Sequence, residues 1–98
     1  MPEFTNINTV YSPNKKLTQI EMLRAIKFAI ASEYEAIQLY QQIMESTDNK
    51  DVKIVLGDVA REEKHHVGEL RKLLEILSPE DEKEYRHGDE ETIENLSK

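Results

Sequence analysis

Three ionisable residues stand where apolar ones are expected, and their types are those that hold metal ions. Positions seven apart read Leu23, Ile30, Ile37, Met44 along one row and Ile26, Glu33, Tyr40 along its neighbour. Further on, Leu56, Glu63, Leu70, Leu77 runs beside Val52, Val59, His66, Leu73. Rows at this spacing make one face of a helix, so Glu33, Glu63 and His66 interrupt two otherwise apolar seams. Burying an uncompensated carboxylate costs several kcal/mol even after relaxation, and no Lys or Arg lies on either seam. A metal ion satisfies two carboxylates and an imidazole that face one interior. Glu63 and His66, at i and i+3, share a helical face as chelation requires. The competing reading is that the helices are rotated or their ends exposed, which leaves all three residues solvated.

A second Glu-x-x-His pair, Glu62 and His65, serves as an internal control. Its rows, Val55, Glu62, Glu69, Ile76 and Asp58, His65, Lys72, are mixed or polar. Spacing alone does not separate the two pairs; phase against the apolar stripe does.

Two helices must position these residues. Thr18 and Glu21 have capping-box spacing, and the first helix is expected to run from there to about Glu45. Ser46-Thr47-Asp48-Asn49 prefers caps and turns, and a second helix should follow to about Leu77. Ser78-Pro79 starts a short third helix, with proline at its first position, which His87-Gly88 should end near Arg86. The remaining acidic stretch, Asp89 to Lys98, reads as a frayed helix or disorder. Residues 1–17, with Pro2 and Pro13 and no steady period, read as an extended arm. The expected organisation is thus an arm (1–17), a helical hairpin (18–77), and a short helix with an acidic tail (78–98).

The fold class is accordingly all-α: an antiparallel two-helix hairpin with a short C-terminal helix. Two helices present one stripe each to one another and cannot enclose a core, so self-association into a four-helix bundle is expected. Composition narrows the function. The 98 residues hold 13 Lys+Arg against 20 Asp+Glu and no Cys, for a net charge of −7. Cysteine-based metal sites and nucleophiles are excluded. A surface this acidic repels nucleic acid, no apolar run approaches bilayer length, and no signal-peptide pattern opens the chain. A cytoplasmic protein that handles cations is the expectation.

A di-iron carboxylate bundle takes a lone Glu from each of two helices and Glu-x-x-His from each of the other two. This chain carries half of that set. Two copies would supply four carboxylates and two imidazoles, enough for a pair of metal ions.

Glu33-Tyr34-Glu35-Ala36-Ile37-Gln38-Leu39-Tyr40, Glu45-Ser46-Thr47-Asp48 and Arg61-Glu62-Glu63-Lys64-His65-His66 together resemble the encapsulated ferritin-like proteins, the cargo of encapsulin nanocompartments. The likeness covers about Leu17 to Leu77. It implies a ferroxidase whose di-iron centre, one iron per chain, forms between two subunits, with dimers closing into a ring such as a decamer inside an encapsulin shell and feeding iron storage there. By position, Glu33, Glu63 and His66 are then the metal ligands and Tyr40 the tyrosine beside the centre. Glu35 matches an acidic residue that attracts incoming metal, although Ser32 departs from the pattern. No shell-targeting peptide is recognisable at Glu94 to Lys98, so recruitment differs or the chain is the front part of a fusion to a shell protein. Zn²⁺, Mn²⁺ or Ca²⁺ is expected to substitute for iron in vitro. Two other readings stay open: a metal-stapled dimerisation module without redox activity, and a di-metal peroxidase of rubrerythrin type.

Overall fold

The computed structural model describes residues 16–98; the predicted arm therefore lies, but for its last two residues, outside the described residues. Helix α1 spans Gln19–Glu45, α2 Lys50–Leu77 and α3 Pro79–Leu96. No strand occurs among the described residues, as the all-helical reading requires. Each boundary has a local cause. The Thr18 Oγ1 accepts from the Glu21 N–H at 3.1 Å while the Thr18 N–H donates to Glu21 Oε1 at 2.9 Å, a reciprocal pair that satisfies two orphan donors of α1. At the other end Ser46 donates its hydroxyl to the Gln42 carbonyl at 2.8 Å. Asn49 then caps α2 by accepting from the Val52 N–H at 3.1 Å. Between Glu45 and Lys50 only four residues intervene, so the helices must turn back on each other.

The two helices pack along one stripe each. Ile37 on α1 and Ala60 and Val67 on α2 are the buried apolar residues among those described, too few for a self-sufficient core. The shape agrees: the radius of gyration is 17.2 Å, against about 12–13 Å for a compact domain of this length. At one end of the hairpin Gln19 Nε2 reaches the Leu77 carbonyl at 3.4 Å. No described helix is long and apolar enough to cross a membrane.

Helix α3 differs from expectation. It continues through His87-Gly88 to Leu96 as one helix. Gly88 keeps a negative φ, so it acts as a helical residue rather than as a left-handed stop, at a cost of about 1 kcal/mol relative to alanine. Neighbouring pairs offset that cost: Arg86 lies 3.5 Å from Glu82 and His87 3.6 Å from Glu90, spacings that support isolated helices. A single residue, Ser78, separates α3 from α2. The new helix touches the hairpin through its first turns, where Lys27 meets Asp81 at 3.9 Å and Arg86 meets Glu75 at 3.3 Å.

Candidate metal centre

Glu33 lies twelve residues before the end of α1 and Glu63 thirteen after the start of α2. An antiparallel hairpin brings positions equidistant from its turn to the same height, which is why these two carboxylates face each other. His66, one turn beyond Glu63, joins them. The Nδ1 of His66 stands 3.7 Å from Glu33 Oε2 and 3.7 Å from Glu63 Oε2, and one ligand atom from each of the three residues lies within 4.8 Å of the others. It is the one such cluster of at least three His, Asp or Glu residues found among the described residues.

The charges in this cluster are poorly compensated. Glu33 Oε2 is buried and has no hydrogen-bond partner, and the Glu33 and Glu63 side chains retain only 25% and 19% of their exposure. Of the ion pairs among the described residues, none brings Lys or Arg to either carboxylate; only His66 approaches them. Separations of 3.7 Å are too long for hydrogen bonds. Donor atoms about 2.1 Å from a shared ion stand roughly 3.0–3.4 Å apart, so a small inward movement suffices for coordination. An orphaned carboxylate oxygen, a second carboxylate and an imidazole nitrogen aimed at both form a donor set that fits a divalent cation.

The cluster sits at the edge of the hairpin rather than in its centre. His66 is 48% exposed, and α1 and α2 leave the same flank uncovered around it. On that flank the helical periodicity aligns Ala36, Tyr40 and Ile43 of α1 with Val59 and Leu73 of α2. Ile43 and Leu73 are exposed. Apolar side chains thus lie beside the three metal-ligating groups on the open flank.

The remaining sequence candidates fall as follows. Tyr40 is half-buried on α1, its Cα about 10 Å along the axis from that of Glu33; helical tyrosines point toward the N-terminus, hence toward Glu33. Glu35 is exposed and does not enter the cluster. The outer pair, Glu62 and His65, lies 3.9 Å apart with both side chains more than half exposed. Phase against the stripe thus separates the two Glu-x-x-His pairs in space as it does in sequence. Sequence periodicity missed the height match of Glu33 with Glu63. Counting outward from the Ser46–Asn49 turn would have found it.

The rubrerythrin family model matches residues 24–96. A ferritin-like–encapsulin shell fusion protein of Pyrococcus furiosus is 41% identical over 86 residues, covering 88% of this chain and 25% of that protein. An encapsulin nanocompartment cargo protein of Myxococcus xanthus is 38% identical over 66 residues, 67% of this chain and 51% of that one. The chain therefore spans a quarter and about half of these two curated relatives. Among solved structures, the encapsulated ferritin domain from Pyrococcus furiosus superposes with a TM-score of 0.80 at 41% identity over 88% of each chain.

Proposed function

The chain belongs to the rubrerythrin family, among its encapsulated ferritin-like members, and from that premise we propose that it is a ferroxidase acting on Fe²⁺ at a centre shared by two copies. The observation that carries this reading is the half-site: two carboxylates and one imidazole converge on an open apolar flank, with one carboxylate oxygen buried and unpartnered. A twofold pairing of such flanks completes both the bundle core and a four-carboxylate, two-imidazole donor set.

In this reading two ferrous ions are the substrate, and dioxygen accepts one electron from each. Glu33, Glu63 and His66 of each copy would hold the ions, the carboxylates supplying anionic oxygens and His66 a nitrogen. Hard anionic oxygens favour the ferric product over the ferrous substrate, so this donor set would assist electron loss to dioxygen. Tyr40 stands as a hydrogen-bond donor or electron source beside the centre. Ferric ions leave for mineral formation elsewhere, since the described residues enclose no storage cavity. The relatives are a shell fusion protein and a shell cargo protein; we place this chain likewise inside an encapsulin compartment in the cytoplasm, paired with itself and assembled into a ring.

Stopped-flow absorbance tests the activity: Fe²⁺-loaded anaerobic protein mixed with aerated buffer forms ferric species faster than protein-free buffer. Equal rates would reduce the site to a metal staple. The rubrerythrin match favours one further reading, peroxide reduction; substituting hydrogen peroxide for dioxygen in the same mixing experiment separates the two by their relative rates.

A further inference from the structure

A cleft lies in the elbow where α2 passes into α3, and it shares no residue with the metal cluster. Its volume is about 220 Å³, below the roughly 300–1,000 Å³ of pockets that take drug-sized ligands, so it suits a smaller molecule. Two helices build it. Arg71, Leu74 and Ser78 follow one another at intervals of three and four at the end of α2, and Asp81, Tyr85 and Asp89 at intervals of four along α3. Such spacings put each set on one helical face. Only Ser78 separates the two helices, so both faces look onto one cleft with Ser78 at its apex.

Most charges around the cleft are already matched. Lys27 lies 3.9 Å from Asp81, and Arg86 lies 3.3 Å from Glu75 and 3.5 Å from Glu82. Four polar side chains that line it stay uncommitted. Arg71 and Asp89 form no ion pair or hydrogen bond among the described residues, with each other or with any other group, and the Ser78 and Tyr85 hydroxyls form no hydrogen bond. Ser78 is only 8% exposed and stands where a serine side chain ordinarily caps the following helix, yet its side chain makes no cap hydrogen bond. A hydroxyl in so buried a residue, left without a partner, holds a hydrogen-bonding position open on the cleft. Half-buried Leu74 and the Tyr85 ring add apolar surface to the lining. A concave site with a few converging polar groups is the usual form of a small-molecule site.

We propose that this cleft binds a small zwitterion of the α-amino acid class. The ligand's carboxylate pairs with the Arg71 guanidinium, whose planar fork matches a carboxylate, and its ammonium pairs with the Asp89 carboxylate. Ser78 and Tyr85 supply neutral hydrogen bonds, and Leu74 with the Tyr85 ring covers a short apolar side chain. A simple anion would satisfy Arg71 but meet Asp89, and a simple cation the reverse, so both charges are needed on one molecule. Helix α3 buries none of its residues and is held to the hairpin by exposed ion pairs, which are worth little in water. A ligand that joins Arg71 of α2 to Asp89 of α3 therefore also fixes the angle between the helices. The site needs no metal and does not rest on the ferroxidase reading.

Saturation-transfer difference NMR on the intact chain, with L-leucine as the probe, tests this. Leucine should give a signal that saturates in the millimolar range. Leucinamide lacks the carboxylate and N-acetyl-leucine lacks the ammonium; each should bind about tenfold or more weakly, the loss expected when one charged hydrogen-bonding partner goes. Arg71→Gln should weaken leucine to the level of leucinamide while leaving leucinamide itself unchanged. Asp89→Asn should likewise bring leucine to the level of N-acetyl-leucine. Both residues are exposed, so these variants should keep the fold, as circular dichroism would verify. Glu91→Gln, exposed on α3 and outside the cleft, should leave leucine binding as it is. So should Glu63→Ala, which disables the metal cluster, so that this proposal and the ferroxidase reading fail separately. An absent or unsaturable leucine signal, equal affinities for the three probes, or indifference to both Arg71→Gln and Asp89→Asn would overturn the proposal.

Discussion

At the residue scale, the centre rests on a carboxylate oxygen that nothing in the hairpin satisfies. Glu33→Gln removes that buried charge, so the metal-free protein should gain about 1 kcal/mol while losing iron binding; thermal melts with and without Fe²⁺ read both signs. Glu63→Ala and His66→Ala should abolish iron oxidation, whereas Glu62→Ala and His65→Ala, on the exposed side of α2, should leave most of it. If the outer pair proved essential by stopped-flow assay, the phasing of α2 would be wrong. Tyr40→Phe should bind the same amount of iron but oxidise it more slowly. Three of these residues were legible in sequence because each breaks an apolar row. Their mutual height is not carried by the rows themselves; it follows from counting outward from the Ser46–Asn49 turn, which puts Glu33 and Glu63 level.

At the element scale, α1 and α2 follow closely from their caps, and α3 shows where such signals fail. The pair Thr18/Glu21 fixes the start of α1 in sequence and in space; Thr18→Ala should cost about 1 kcal/mol in chemical denaturation. Truncating the buried Ile37 to alanine should cost about 2–4 kcal/mol, since its side chain belongs to the small shared stripe of the hairpin. Gly88 looked like a stop because glycine commonly ends helices in the left-handed conformation. Here the helix continues through it, with Arg86 reaching Glu82 at i,i+4 spacing and His87 near Glu90 at i,i+3, and Gly88 keeps a helical backbone. Gly88→Ala should therefore raise helicity and slow amide exchange in α3 without moving its ends.

At the scale of the whole molecule, the hairpin has three buried apolar residues among those described, extents of 53 × 46 × 21 Å and an exposed apolar flank beside the metal cluster, which the proposed pairing of two copies would cover. Under the shared-centre reading, iron titration should saturate at one ion per chain in an assembly of even number, measured by metal analysis together with light scattering. A monomer that oxidised iron at full rate would contradict it. The net charge of −7 concentrates cations near the surface, so iron uptake should slow as ionic strength rises.

The amino-acid sequence by itself determined two long helices with a four-residue turn and which faces are apolar. It also determined which Glu-x-x-His pair lies on the stripe, because these depend on periodicity and caps that act within a few residues. Only the tertiary structure decided that one Glu33 oxygen is orphaned, that His66 Nδ1 stands 3.7 Å from both carboxylates, and that α3 runs on past Gly88. Those outcomes depend on the competition between distant groups for burial, partners and charge, which no local pattern encodes.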